Sequence, residues 1–331
     1  MKPQVNIVVT CTKRKRIPPS TGLKLRDVQA PDQHTRFVSW LDLLRESEVE
    51  NFPARRLYAG DHWSVVKTLE EVAATSGFEA ILWVCSAGYG LISLDSKIKP
   101  YSATFSSPDP DTVCQWNVAD SRLEDAVSWW QLQNEWLGPD SVSPRSIAKV
   151  AANYPDSPLL VVASRVYLGA IVNDVQKAVL ALCDPDLLCI ISTGTNRIPG
   201  LDGNLLPSSM ALQGRVGGSA LSLNIRLART ILAESTVKNL RASCLKSELK
   251  KWVAAGRPLP RHEREAITDQ EVQQYIAEAL TKDSEITWGS LLCRLRDGGR
   301  ACGQERFSSL FQTTKAEFAF IQLGLGASIE Q

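Results

Sequence analysis

The sequence predicts an α/β protein: a mostly parallel sheet layered with helices, with an internally duplicated core and a small C-terminal helical module. Three observations carry this expectation. Short apolar runs rich in Val, Ile and Leu alternate with helix-periodic stretches through the first two thirds of the chain. The order of motifs in the first part recurs in the second. After about residue 246 a charged stretch interrupted by glycine and proline leads into three helical segments. The predicted divisions are a first α/β repeat over 1–150, a second, degenerate repeat over 151–245, a linker over 246–268 and a helical module over 269–331.

Four runs read as central strands: residues 5–11 (VNIVVTC), 80–86 (AILWVCS), 159–164 (LLVVAS) and 187–192 (LLCIIS). All are apolar on both faces, as parallel strands covered by helices must be. Helical periodicity marks residues 35–47, 62–76, 123–137 and 172–182. Trp129, Trp130 and Trp136 fall at the spacing of one buried helix face. Both halves run strand, a Tyr-x-Gly element, helix, strand, a Ser-x-Gly turn, Leu-Asp, then Pro-x-Ser. That order indicates duplication. The first copy carries Cys11 where the second has Ala163-Ser164-Arg165, so only the first keeps a thiol.

Residues 246–265 are charged and interrupted by Gly256, Pro258 and Pro260, which reads as a linker. Helical stretches follow at 269–280, 287–299 and 304–318, with Gly298-Gly299 before the third. Three short helices with such a turn predict a helix-turn-helix or winged-helix module. Arg300, Arg306 and Lys315 would face DNA there. A plain three-helix cap is the alternative.

Composition bounds the function. The 331 residues are 44% hydrophobic and 22% charged with a net charge of +1, so attraction to a polyanion must be local. No apolar run approaches the roughly 18–20 residues of a membrane span. The N-terminus places a short apolar run before positive charge, the reverse of a signal peptide. A cytoplasmic location without membrane contact is expected. The eight cysteines include no Cys-x-x-Cys pair, and a disulfide framework is not expected. Cys11, Cys85, Cys183, Cys189 and Cys293 lie in or beside apolar runs and read as small hydrophobes. No Walker loop or GxGxxG is present, which disfavours nucleotide cofactors. No metal and no cofactor are expected.

Three stretches carry candidate chemistry. In residues 8–20 (VVTCTKRKRIPPS) Cys11 ends a strand and is followed by Lys13, Arg14, Lys15 and Arg16. Open α/β sheets place ligands at the carboxyl ends of strands, and nearby cations favour a thiolate nucleophile. A buried cysteine beside a solvated basic loop fits the same pattern. In residues 85–105 the turn Ser86-Ala87-Gly88-Tyr89-Gly90 could expose backbone N–H groups, and Tyr89 and Tyr101 could stack a base. Packed tyrosines around a tight turn would need no ligand. In residues 54–63 Asp61 is placed to cap a helix, and His62 could serve as a proton acceptor or donor. His34 is a third candidate of that kind.

Together these motifs resemble a superfamily related to the core domain of archaeosine synthase and, more distantly, to the peroxide-stress protein YaaA. The matching residues are Cys11-Thr12-Lys13-Arg14-Lys15, Leu57-Tyr58-Ala59-Gly60, Ser86-Ala87-Gly88-Tyr89-Gly90-Leu91 and Pro100-Tyr101. The resemblance covers about residues 5–105. It implies chemistry on 7-deazaguanine bases. Archaeosine synthase carries a Pro-Cys-x-x-x-Lys-Pro-Tyr run with Ser and His downstream. Cys11 and Lys15 match it, and His34 to Phe37 supplies a His-x-x-Phe element; Thr10 and Arg16-Ile17 depart from it. Those departures point away from lysine transfer. The DpdC branch, from gene clusters that place 7-deazaguanines in DNA, is similar and implies conversion of a cyano group to a carboxamide.

The resulting expectation is a DNA-modification enzyme acting on 7-cyano-7-deazaguanine in DNA, as in restriction-modification or phage-defence systems. Cys11 would form a thioimidate, with Lys13 and Lys15 as electrostatic support and Asp61, His62 or His34 activating water. Thr12, Tyr58, Ser86, Gly88, Tyr89, Gly90 and Tyr101 would seat the base. Arg14, Arg16, Arg215, Arg300, Arg306 and Lys315 would hold DNA, and other DNA-modification proteins are possible partners. The alternative is a non-catalytic DNA-binding component of such a system, with Arg226 and Arg229 also on phosphates. A hydrolase of the free base is a third reading.

Overall fold

A computed structural model describes residues 2–19, 22–114, 122–195, 197–236, 238–256 and 264–326. The chain divides into two compact units, Met1–Leu259 and Pro260–Gln331. The first contains strands β1 (Gln4–Thr10), β2 (Phe52–Pro53), β3 (Glu79–Ser86), β4 (Gly90–Ser93), β5 (Lys97–Ile98), β6 (Leu159–Val162), β7 (Leu188–Thr193) and β8 (Leu205–Ser208). Its helices are α1 (Gln33–Glu46), α2 (Ala54–Leu57), α3 (Asp61–Val66), α4 (Leu69–Thr75), α5 (Arg122–Glu135), α6 (Ile147–Asn153), α7 (Arg165–Ala181), α8 (Gln213–Val216), α9 (Leu223–Glu234) and α10 (Ala242–Ala255).

Six strands form one sheet in the order β4-β3-β1-β6-β7-β8. The predicted four are β3, β1, β6 and β7, all parallel, with β1 pairing β3 on one side and β6 on the other. Val5, Ile7, Val8 and Val9 are buried on both faces of β1, which explains its apolar run, and the polar residue inside that run, Asn6, is buried with its Oδ1 accepting from the Trp83 indole. β8 adds a parallel edge, and β4 folds back antiparallel on β3 through the Ser86–Gly90 turn. From β1 the chain goes outward to β3 in one direction, and from β6 outward to β7 and β8 in the other. The gap between β1 and β6 is therefore a topological switch point, where open α/β sheets leave a crevice at the carboxyl ends of strands. Cys11 stands there.

Several boundaries differ from the sequence expectation. Segments 1–150 and 151–245 build one sheet in one compact unit. The expected linker from 246 is helix α10 up to Ala255, because Leu245 and Leu249 are spaced to bury one face in the core; residues 257–263 lie outside the described ones. The helix expected over 62–76 is two helices, broken at Lys67-Thr68. α7 begins at Arg165, earlier than expected, since the Ser164 hydroxyl caps it by accepting from the Tyr167 N–H. Cys183 and Cys293 are exposed rather than packed, and all eight cysteines are free thiols. Trp129 and Trp130 are buried as expected, whereas Trp136 is half-buried.

The second unit holds β9 (Glu265–Ala266), α11 (Asp269–Lys282), α12 (Trp288–Asp297), β10 (Arg300–Ala301) and α13 (Gln304–Gly326). Thr268 and Glu271 form a capping box at the start of α11. Val272, Ile276, Leu291, Leu295, Phe307 and Phe311 form its core. β9 and β10 pair in parallel, closing the two-helix excursion between them. The third helix is long, not short as expected, at 23 residues. Among the described residues no helix is long and apolar enough to cross a membrane.

Candidate functional site

The loop after β1 is not free. Arg16 N–H donates to the Leu57 carbonyl and Ala59 N–H to that of Arg14, so residues 14–16 lie antiparallel to 57–59 with Lys15 opposite Tyr58. An extended segment alternates its side chains. Arg14 and Arg16 accordingly point to solvent, while Lys15 turns inward. Its Nζ lies 4.2 Å from the ring centre of Tyr101 and 5.6 Å from that of Tyr58.

Cys11 closes the cluster. Its side chain is buried, and Sγ lies 3.2 Å from the Tyr167 hydroxyl, delivered by the first turn of α7 after β6. The Tyr58 and Tyr101 hydroxyls are 2.9 Å apart, and Tyr101 is 2.7 Å from the Ser86 hydroxyl. Burial pulls the Lys15 ammonium down to about 8, against the opposing pull of the Cys11 and Asp111 charges. Burial, then the nearby Cys11 charge, pushes the phenols of Tyr58, Tyr101 and Tyr167 well above their usual range. At neutral pH the site therefore sets, beside the Cys11 sulfur, a cation that gives up its proton easily and three neutral phenols. Asp111, buried beneath, is held by Arg26 and the Ser102 hydroxyl. Burial raises its proton affinity, but these bonds outweigh it and keep the carboxyl below its usual value.

The remaining candidates are placed differently. Lys13 ion-pairs with Asp109 at 2.8 Å, and its side chain is 58% exposed. Thr12 closes the turn, donating to the carbonyls of Arg14 or Ala59. Asp61 does not cap α3: it is the first residue of that helix, and its carboxylate accepts from Ser219, Ser222 and Arg226. The bond from Ser222, then those from Arg226 and Ser219, outweigh burial and hold it below the usual carboxylate range. His34 is exposed in the first turn of α1, making none of the cluster's contacts. His62 is nearer: the backbone of Thr10, one residue before Cys11, acts on its ring, and its Nε2 is buried with no partner. Burial lowers it to about 4, so it is neutral at pH 7. The neighbouring Trp63, stacked on Tyr58, also has a buried Nε1 without a partner.

The Ser86–Gly90 turn is enclosed rather than open to a base. Trp129 and Gln133 both donate to the Ala87 carbonyl, Trp40 to that of Gly88, and Arg145 to those of Tyr89, Leu91 and Trp136. Tyr89 lies between Tyr101 and Trp136. Gly90 has φ +72°, and a Cβ there would meet Gln133 at 2.9 Å. A Cβ on Gly88 would lie 2.5 Å from the Tyr101 ring. Gly88→Ala is therefore expected to lower unfolding free energy by roughly 2–3 kcal/mol through overpacking. A urea midpoint equal to wild type would show that Tyr101 can yield.

Arg16 adjoins Lys67, whose ammonium is lowered by burial and then by the Arg16 charge, so a cationic rim flanks the site. Arg215 pairs with Glu234 and covers Trp252, Arg226 is engaged with Asp61, and Arg229 is exposed. In the second unit Arg306 pairs with Asp269, Lys315 donates to the Ser284 carbonyl and Arg300 is exposed. Tyr167, Asp111 and Arg145 were not anticipated. The Ser164-Arg-Val-Tyr167 start of α7, directly after a strand, was the available signal for Tyr167. Comparison with family models, curated proteins and solved structures finds no match.

Proposed function

We propose that this chain is a DNA-modification enzyme that hydrates the nitrile of 7-cyano-7-deazaguanine in DNA to the carboxamide, with Cys11 as nucleophile. The observation that carries this reading is the Cys11 thiol, 3.2 Å from the Tyr167 hydroxyl, at the switch point between β1 and β6. The substrate class comes from the resemblance to deazaguanine-modifying proteins.

The Cys11 thiolate adds to the nitrile carbon, forming a C–S bond, and the nitrile nitrogen takes a proton from Tyr167 or Lys15. Water then adds to the thioimidate. The C–S bond breaks, the thiolate leaves and the carboxamide is released. One water is consumed, and the acid that gave the proton recovers one from that water. Lys15 stabilises the thiolate whenever it is the leaving or attacking group. Lys13, in its pair with Asp109, is left to the rim. Cys11 is only 6% exposed, so a base flipped from the duplex must part the covering loops to reach it.

In the same reading the β1–β3 and β6–β7 pairs descend from one duplicated unit, the second having lost its thiol. Helices α11–α13 read DNA as a helix-turn-helix-like module, with Arg300 and Lys315 near phosphates. The protein works in the cytoplasm beside other DNA-modification proteins.

The test is mass spectrometry of nucleosides digested from 7-cyano-7-deazaguanine DNA after incubation with the protein. Gain of one water per modified nucleoside is expected. Unchanged nucleosides with tight, salt-sensitive DNA binding would replace the enzyme by a DNA-binding component. Conversion of the free base alone would remove DNA from the reading.

A further inference from the structure

We infer that His62 determines specificity at this site: its Nε2 is the acceptor for an N–H of the nitrile-bearing base. The inference rests on the reading above. It starts from an unpaired atom. Burial keeps the His62 ring neutral at pH 7, and a neutral imidazole holds one nitrogen as donor and leaves the other as acceptor. Nε2 is then a lone pair, buried with no partner. Buried polar atoms without partners are uncommon, and each calls for an explanation. A ligand that brings a donor supplies it.

Placement supports a ligand-facing role. Thr10 immediately precedes Cys11, and α3 follows the 57–59 segment that carries Tyr58 into the cluster. Asp61 does not hold the imidazole, since its carboxylate is committed to Ser219, Ser222 and Arg226. A charged carboxylate bound directly to the ring would have favoured an imidazolium, which donates and does not accept.

The choice between acceptor and general base follows from basicity. A general base works best with a proton affinity near the working pH. Burial leaves His62 at about 4, which makes it a weak base for water but a permanent acceptor above pH 5. The expectation that it activates water is therefore replaced by one in which it binds. The ligand class is a planar nitrogen heterocycle with a ring N–H or an exocyclic amine. Sites built to bond such a group reject analogues that lack it far more strongly than apolar pockets reject a missing methylene.

The experiment compares full-length wild type, His62→Leu and His62→Gln on two oligonucleotides. One carries 7-cyano-7-deazaguanine; the other carries 7-cyano-7-deazapurine, which has no N–H on the base. Wild type is expected to favour the first by about 10- to 100-fold in kcat/KM. His62→Leu is expected to lose most of that preference, the loss falling on KM. His62→Gln, which retains an acceptor, keeps most of it. Equal preference in His62→Leu and wild type, or a fall in kcat alone, overturns the inference and leaves the nitrile reading intact. Wild type converting neither oligonucleotide overturns both.

Discussion

Cys11→Ala is expected to abolish conversion of nitrile-bearing DNA, with a loss on the order of 10⁴-fold or more, as when a covalent nucleophile is removed. The fold should barely notice. Removing one buried sulfur leaves a small cavity and costs about 1 kcal/mol, and the Cys11 N–H bond to the Cys85 carbonyl survives. DNA binding should persist too, because the exposed Arg14 and Arg16 remain. The test is single-turnover nucleoside analysis beside a urea melt and a binding isotherm on the same preparation. Full conversion by Cys11→Ala sinks the covalent mechanism outright. Loss of conversion with loss of folding would be uninformative for alanine alone, so Cys11→Ser, which keeps a group able to meet Tyr167, is run in parallel. A thioimidate route predicts that serine is inactive as well, since an alkoxide is far harder to generate beside a lysine than a thiolate is.

Much of the framework was legible because its signals are local. The four central strands announce themselves by being apolar on both faces, and β1 running into a cation-rich loop is visible in ten residues. β4 (GLIS) and β8 (LLPS) were missed because four mixed residues carry no period to detect. α10 was misread because Lys and Glu on its exposed side mask Leu245 and Leu249 on its buried one. The site divides in the same way. Cys11 follows from its position at a strand end, whereas Lys15 was paired with Lys13 and is set apart only by the pairing of residues 14–16 with 57–59. Tyr167 does not follow from position, since it lies 156 residues from the thiol it meets and only the pairing of β1 with β6 brings it there. Asp61 shows the converse: its position after Gly60 suits a cap, but residues from 219 to 226 supply better partners than its own helix.

Lys15→Met separates function from stability most sharply. In the folded protein the ammonium is lowered from 10.5 to about 8, chiefly by burial. The unfolded chain holds that proton up to its ordinary value. Between these limits the unfolded state binds more protons, so stability rises as pH climbs from about 8 to 10.5, and the penalty of burying the charge is present in full below 8. A shift of this size corresponds to roughly 3 kcal/mol. Contact with the Tyr101 ring returns about 1 kcal/mol of it. Methionine fills similar volume without the charge. At pH 7 Lys15→Met is therefore expected to be more stable than wild type by about 1–3 kcal/mol, and above pH 10.5 the gain should vanish. Activity should fall by about 10²-fold or more, because the thiolate loses its buried counter-charge. A lysine kept only for packing would show the pH-dependent gain, which follows from burial alone, without the loss of turnover. Urea melts at pH 7 and 10.5, with nucleoside analysis at pH 7, decide the matter: a destabilised or fully active Lys15→Met variant would mean that this cation holds up the fold and leaves the thiol to act alone.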